Sequence, residues 1–483
     1  MNITDPILFQ ARYQPQAPAI CAPGISIVSY GTLEQIVNNI MRRALTLGVA
    51  PGHTVALFIE QGVMHAAVIL AMARLGVITL SPLHAAKTLV ARLPINAVIA
   101  DGDHPFLALR TITFDASWVA GDGQPVVLER IPRGPEVCRL CLTSGTTGDA
   151  KAVALTHDMI LGRLQKYDAA YGPQLSRVAR IFCDVRFGTA LGFQFMIYAL
   201  GKGAAFFLRG SSVQETLRAF AFAALDAIVA TPAGLRKFAT DYDAYRHRHR
   251  FDLIISSGSI TSKPLADLIR SRMGSNVISD YGSTEASVTA TAPLQVLENA
   301  PGAVGWIGPG IKVEIVDAAH NALPPGQEGI LRINGDHVAA GYAGDPDATA
   351  RYFYDGWFYP GDIGRIDGDG MLAIVGREDN VLNLGGVKVR PEAVEAALNN
   401  FAGVAEAAVF SVTDAFGIGV LWAAYVSSAP IDESALRDHC AQKLSEAIRP
   451  RRFIRVDELP RNETGKLDRS ILESAVNATN MRA

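Results

Sequence analysis

Residues 142–157, LTSGTTGDAKAVALTH, form a glycine-punctuated run of hydroxyl side chains with a single lysine, Lys151, ahead of an apolar stretch. Glycine tolerates positive φ and close backbone approach, so successive amides of Ser144, Gly145, Thr146, Thr147 and Gly148 can face one concavity and hold anionic oxygens. The hydroxyls of Thr143, Ser144, Thr146 and Thr147 add donors, and Lys151 adds a charge. A polyphosphate is the ligand such a set suits. The spacing excludes the Walker A loop, in which lysine directly follows the second glycine of GxxxxGK[ST]. Here two residues separate Gly145 from Gly148, and two more separate Gly148 from Lys151. Just upstream, Cys138-Arg-Leu-Cys141 has a spacing used by metal and redox sites. It has neither a second CxxC nor a nearby histidine and reads as a strand, so structural cysteines are expected.

Elements that could position this loop are legible in the hydrophobic pattern. Thr54–Ile59, Val77–Leu80, Ala204–Leu208, Asp226–Ala230 and Asp252–Ser256 are short, nearly all-apolar runs, as expected of strands covered on both faces, and helical stretches such as Gly62–Arg74 lie between several of them. This order predicts an α/β fold, with helix-covered, largely parallel sheets in a large N-terminal domain. From about Lys312 the texture becomes strand and turn (KVEIVD, GILRIN), and DIGRIDGDGMLAIVGR predicts a hairpin around Gly-Asp-Gly, together a β-rich subdomain. The remaining chain reads as helix (PEAVEAALNN), two strands (AEAAVFSV, VLWAAYV), helix (ESALRDHCAQKLS) and RRFIRV, a small α+β domain. The joint is expected near Arg377–Asn380, dividing the chain into 1–378 and 379–483.

Bulk properties narrow the function classes. The 483 residues carry 44 basic and 47 acidic side chains, a formal net charge of -3 that gives no global field for nucleic acid or anionic membrane. The basic run Arg246–Arg250 lacks interleaved aromatics and is expected to be a solvated loop. The amino terminus lacks a secretion-signal pattern, and the apolar run Ala66–Ala73 is far shorter than the roughly 20 residues of a membrane span. Five cysteines make an odd set without a disulfide framework. A soluble protein of a reducing cytoplasm is expected.

TSGTTG followed by lysine resembles the signature of the acyl-adenylate-forming superfamily, which includes acyl-CoA and aryl-CoA synthetases, peptide-synthetase adenylation domains and beetle luciferase. Four further segments are similar to its motifs, in the same order: Asp280–Glu285 (DYGSTE), Tyr359–Asp362 (YPGD), Gly376–Asp379 leading to Gly385-Gly386-Val387-Lys388, and Pro460–Arg469 (PRNETGKLDR). The resemblance spans about residues 10–475. It implies ATP-dependent activation of a carboxylic acid with release of pyrophosphate, then transfer of the acyl group to a thiol, and a small C-terminal domain that is mobile.

Carried over residue by residue, the resemblance implies that residues 143–151 hold the β- and γ-phosphates. Tyr281 would lie against adenine beside the strip containing Gly258 and Ser259, Gly282 would permit close approach, Ser283 would border the nucleotide, and Thr284 would donate to the α-phosphate. Glu285, with Thr143, would hold Mg²⁺, an ion that prefers oxygen ligands. Asp362 would accept from the ribose hydroxyls with help from Arg377. Lys466 would be the catalytic lysine, Asp379 the hinge, and Gly385, Gly386 and Lys388 the lining of the path for the thiol arm. The implied cofactors are ATP, Mg²⁺ and coenzyme A, or a carrier-protein phosphopantetheine in place of coenzyme A.

Some positions depart from the family pattern. Asp149-Ala150-Lys151-Ala152 stands where many relatives have x-Pro-Lys-Gly, and the strip Ser256–Ile260 is only a partial match. Pro360 replaces a usual hydroxyl residue. Thr189 occupies the place of a histidine common in the CoA ligases. Counting back from Gly203 puts Ala190 where amino-acid-activating relatives carry an aspartate, with Asp184 six residues earlier, so a plain carboxylate is expected. Phe187, Thr189, Phe193 and Trp306 are the expected substrate pocket, suited to an apolar or aromatic acid. An acid:CoA ligase is the leading reading. A ligase loading a carrier protein, a luciferase-like oxygenase and a non-catalytic nucleotide-binding protein are the alternatives.

Overall fold

The computed structural model describes residues 1–24, 26–82, 87–143, 150–244, 249–298, 300, 302–378, 382–384, 387–413, 419–461, 467–469 and 471–474. Most of the basic run 246–250 lies outside the described residues.

The apolar runs form two sheets as their double burial demands. In the first, Thr111–Thr113, Ala97–Ala100, Thr54–Phe58, Ile78–Leu80 and Val137–Thr143 lie side by side in parallel, and Lys151–Thr156 adds to the edge in antiparallel. The second has a parallel half in the order Pro18–Ala22, Ala205–Phe207, Arg180–Cys183, Ala227–Ala230, Leu253–Ser257, Val277–Ser283. Crossovers from Arg180–Cys183 run first to one side and then to the other. Ligands of open α/β sheets bind outside the carboxyl ends of strands near such a switch of direction. Strand boundaries differ from the sequence expectation by about one residue, where pairing ends before the apolar run does.

The two halves of the larger sheet meet on one strand. Val277–Ser283 pairs in parallel with Leu253–Ser257 and in antiparallel with Ser287–Pro293. From there Ala303–Ile307, Met371–Arg377, Asp362–Ile366 and Gly329–Asn334 continue the sheet in antiparallel. The β-rich region thus extends the main sheet, and it has its own core around Val313, Ile315, Leu331 and Phe358. The anticipated hairpin forms between Asp362–Ile366 and Met371–Arg377.

Helix ends follow capping chemistry. Thr156 Oγ1 accepts from the Met159 amide at 3.1 Å and starts the helix His157–Gln165. Ala190–Lys202 begins at the Thr189 cap and ends at Gly203, whose φ of 82° suits glycine at that position. Helix Gly62–Leu75 buries residues all round, as its nearly continuous apolar sequence requires.

The C-terminal part packs Pro391–Asn399 and Glu433–Lys443 against the sheet Glu406–Thr413, Gly419–Val426, Arg452–Val456. Here Glu395 accepts two hydrogen bonds from Arg469, at 2.7 and 2.9 Å, and one from the Val409 amide at 2.9 Å. Burial raises the Glu395 pKa against these bonds. Removing one partner of a buried, hydrogen-bonded ion pair costs about 3 kcal/mol, against under about 1 kcal/mol for an exposed pair. Arg469→Ala should therefore lower the denaturation midpoint of the C-terminal part clearly. Arg130→Ala, which removes a pair with Glu136 whose arginine is 73% exposed, should barely move the unfolding curve.

Candidate functional site

The hydroxyl-rich loop sits at the end of a hairpin. Val137–Thr143 pairs with Lys151–Thr156, and Thr143 stands opposite Lys151 at the loop's mouth. The Lys151 ammonium lies over two rings, 4.9 Å from the centre of Tyr352 and 5.7 Å from that of Tyr342. Tyr342 is tied to the same hairpin by a bridge with Val153. Its hydroxyl donates to Glu285 Oε1 at 2.7 Å. One tyrosine thus connects the lysine at the loop's mouth to the buried carboxylate of the DYGSTE segment, and burial together with the Glu285 charge raises its own pKa.

Glu285 is held by backbone as well as by side chain. The strand Val277–Ser283 ends in a tight turn in which the Ala286 amide donates to Ser283 Oγ at 3.1 Å. Gly282 is needed there, because a Cβ would come within 2.3 Å of the Ser287 carbonyl oxygen. Beneath the turn, the Arg163 guanidinium donates to the carbonyls of His337 at 2.9 Å, Thr284 at 3.1 Å and Glu285 at 2.7 Å. Burial lowers the Arg163 pKa to about 10, so it stays cationic at neutral pH. The adjacent Gly162 lets His337 approach, since a Cβ would meet its ring at 2.0 Å.

A second carboxylate completes the group. Tyr281 donates its hydroxyl to Asp362 Oδ2, and Arg377 donates to Asp362 Oδ1 at 3.2 Å and to the Pro360 carbonyl at 3.1 Å. Proline keeps its carbonyl, so the Pro360 departure leaves that bond intact. An ionised carboxylate offers about four lone-pair sites, so a carboxylate here can accept from several donors at once. Burial and the Asp362 charge raise the Tyr281 pKa well above the usual phenol value. Gly258, at φ 94°, and Ser259 are exposed just after the neighbouring strand.

Of the expected substrate-pocket residues, Phe187 and Phe193 pack in one core cluster. Thr189 caps its helix, accepting from the Gly192 amide and donating to the Arg186 carbonyl. Phe193 is fully buried beneath the Arg139 guanidinium, 5.0 Å from its ring centre, and Phe187 meets His65 edge-on. Trp306 stands on Ala303–Ile307 opposite Thr291 and is 40% exposed. Ser144, Gly145, Thr146, Thr147, Gly148, Asp379, Gly385, Gly386 and Lys466 lie outside the described residues, as does the side chain of Lys388. The flanks of Lys466 are described. Arg461 bridges to Leu467 and pairs with Glu406, and Leu467 packs on the core of the C-terminal sheet.

Sequence reasoning missed Arg163 and Tyr342. Arg163 follows Gly162 on an inward helix face, and Tyr342 lies in the segment GYAGDP, but neither belongs to a recognised motif. Asp280 was seen only as the first letter of DYGSTE. It is 8% exposed and accepts from the Tyr171 hydroxyl at 2.5 Å, and burial pushes its pKa up to about 6 while the Ser257 and Tyr171 hydroxyls pull it down. The Cys138 and Cys141 thiols are buried and free, with pKa values raised by burial, as structural cysteines should be. Among the described residues no group of three or more His, Cys, Asp or Glu gathers as a metal site, and no helix is long and apolar enough to cross a membrane.

The model of the AMP-binding enzyme family matches residues 9–343, and that of its C-terminal domain matches residues 393–466. The chain belongs to the AMP-binding enzyme family. Chondramide synthase of Chondromyces crocatus is 29% identical over 94% of the chain, which spans only 12% of that relative's length. The medium-chain fatty-acid–CoA ligase of Escherichia coli is 28% identical over 77% of this chain and 66% of its own. The fold is shared with an anthranilate–CoA ligase solved with anthranoyl-AMP, at a TM-score of 0.86 and 21% identity, covering 100% of this chain and 98% of that one. For an AMP-binding enzyme, the geometry makes Tyr342 a testable link. Tyr342→Phe keeps the ring beneath Lys151 and removes the donor to Glu285, a bond to a charged group worth about 1.5 kcal/mol. Calorimetric titration with ATP and Mg²⁺ should show about a tenfold weaker Kd. An unchanged Kd would leave Tyr342 without a part in nucleotide binding.

Proposed function

We propose that this chain is an AMP-forming acid–thiol ligase. A carboxylate oxygen of the acid attacks the α-phosphorus of ATP, the bond to the β-phosphate oxygen breaks, and pyrophosphate leaves with the electron pair. A thiol sulfur then forms a bond to the acyl carbon, AMP departs, and the thiol proton passes to solvent. The observation that carries this reading is the convergence of Lys151, Tyr342 and Glu285 with Tyr281, Asp362 and Arg377 in an AMP-binding enzyme. Positive donors and two buried carboxylates at a strand's carboxyl end suit a nucleotide whose charge must be neutralised and positioned.

In this proposal the Tyr281 ring lies against adenine next to Gly258 and Ser259. Asp362, oriented by Arg377, accepts from the ribose hydroxyls. The loop 143–151 holds the β- and γ-phosphates, and Thr284 donates to the α-phosphate. Glu285, a single buried carboxylate, fits an ion that combines few protein carboxylates with phosphate oxygens, and with Thr143 it would hold Mg²⁺. When bound, that ion supplies neutralisation of phosphate charge. Lys466 bridges the acid and phosphate oxygens, and residues 379–483 turn about Asp379 to exchange Lys466 for the Gly385, Gly386 and Lys388 path. Coenzyme A is the proposed acceptor, supported by the likeness to the fatty-acid–CoA ligase. Chondramide synthase supports a second reading, in which the acceptor is a carrier-protein phosphopantetheine. Five cysteines, all free and buried, fit a reducing cytoplasm.

Pyrophosphate exchange into ATP over a panel of carboxylic acids tests the first half-reaction, and thioester detection with coenzyme A or a loaded carrier protein tests the second. Exchange with no acid would sink the ligase reading. Lys466→Ala should slow exchange about 10²- to 10³-fold, the effect of losing one preorganised electrostatic donor. Asp379→Pro fixes φ at the proposed hinge. It should spare exchange and block thioester formation, and equal loss of both would argue against the hinge.

A further inference from the structure

Asp280 and Tyr281 are consecutive on one strand, so their side chains leave by opposite faces. Tyr281 turns to Asp362. Asp280 turns to the helix Tyr167–Tyr171, where the Tyr171 hydroxyl satisfies Oδ2. Its other oxygen, Oδ1, is buried and makes no hydrogen bond, although the Ser257 hydroxyl is near enough to the carboxylate to stabilise its charge. No lysine or arginine pairs with it among the described residues, in contrast to Asp184, which pairs with Arg209.

Asp280 also lies among further buried polar groups. The hydroxyl of Thr289, on the neighbouring strand Ser287–Pro293, and that of Tyr167, whose ring is 5.5 Å from Tyr171, are buried without partners. Gln194, 2% exposed, reaches the same strand through Ser287, at 3.4 Å. Unsatisfied buried polar atoms are costly and rare in native folds, and an ionised carboxylate lacking a cation is the costliest of these. Two such atoms, Asp280 Oδ1 and Thr289 Oγ1, lie on the strands that lead into and out of the turn carrying Thr284 and Glu285.

We infer that Asp280 is a specificity-determining residue that accepts an N–H of the acid substrate, so that the substrate class is a carboxylic acid bearing an amino group. This rests on the ligase reading. With the nucleotide on the Tyr281 face, the body of the acid falls on the opposite face, where Oδ1 lacks a donor. An ammonium group brings both the missing donor and the missing positive charge. The acid then carries an amine held from the strand Val277–Ser283, whereas Ala190, from which a plain carboxylate was expected, opens a helix. Thr289 and Tyr167 offer hydroxyls for the amine's remaining hydrogens.

The test compares wild type, Asp280→Asn and Asp280→Ser on matched acids with and without an amino group: β- and γ-amino acids and aminobenzoates against their deaminated counterparts. Pyrophosphate exchange gives the ratio of kcat/KM within each pair, and thermal melts confirm folding. Wild type should favour at least one amino acid over its counterpart by tenfold or more. Asp280→Asn should lower that ratio about 100-fold, as when one partner of a buried charged hydrogen bond is lost. A wild-type preference for the deaminated acid in every pair, or variants that lower both members equally, would overturn the inference and leave the ligase reading standing. Calorimetry with the same acids and AMP separates the two readings. Asp280-dependent binding without any exchange would overturn the ligase reading alone, and neither binding nor exchange would overturn both.

Discussion

The strand Val277–Ser283 is hydrogen-bonded in parallel on one side and in antiparallel on the other, and the site is arranged around its last residues. Because side chains alternate along a strand, Asp280 goes to the helix-covered face and Tyr281 to the hairpin that carries Asp362 and Arg377. The tight turn that follows brings Glu285 inward, and only glycine at 282 permits the backbone to fold that closely. A shift of one residue in register would exchange the two faces and disconnect Tyr281 from Asp362. The register is held by apolar neighbours such as Ile278, which packs in the main core.

Two buried guanidinium groups set the surroundings of this strand, and both are held by neutral acceptors, though Arg139 Nε is buried without one. Arg163 binds three carbonyls and so fixes the Thr284–Glu285 turn relative to the His337 segment. Arg139 binds Thr79, Ser81 and the Phe187 carbonyl, and stacks on Phe193. Neither cation is neutralised by a salt-bridged carboxylate among the described residues, so each depends on several hydrogen bonds of good geometry. Such arrangements favour a single backbone conformation, because any shift would leave a buried charge without its acceptors. The loop bearing Phe187 and Thr189 is thus positioned from below by Arg139, and the turn bearing Glu285 by Arg163.

Much of the fold was legible because double burial leaves a plain signature in composition. The runs TVALF, AIVA and LIISS are largely apolar, and all became central parallel strands. The hairpin around Gly-Asp-Gly was legible from turn chemistry. The site was legible where chemistry requires contiguous residues, as in DYGSTE and YPGD. It was not legible where a role arises from contacts distant in sequence. Tyr342 reaches Glu285 across 57 positions, and Arg163 reaches Thr284 across 121. Thr189, whose place suggested the pocket, has its hydroxyl engaged at the helix end, a contact that spacing to the helix start also predicts.

The sequence alone determined the family signature, the alternation of strands and helices, the change of texture after Lys312, and the chemical types needed to handle a nucleotide. These are properties of local composition and spacing, and they survive without knowledge of neighbours. Only the tertiary structure decided which groups face one another: Lys151 with Tyr342, Tyr281 with Asp362, and Asp280 with Tyr171 but with one oxygen unpartnered. The reason is physical. Whether a buried polar atom finds a partner depends on the packing of segments far apart along the chain, and spacing within one segment carries no record of that packing.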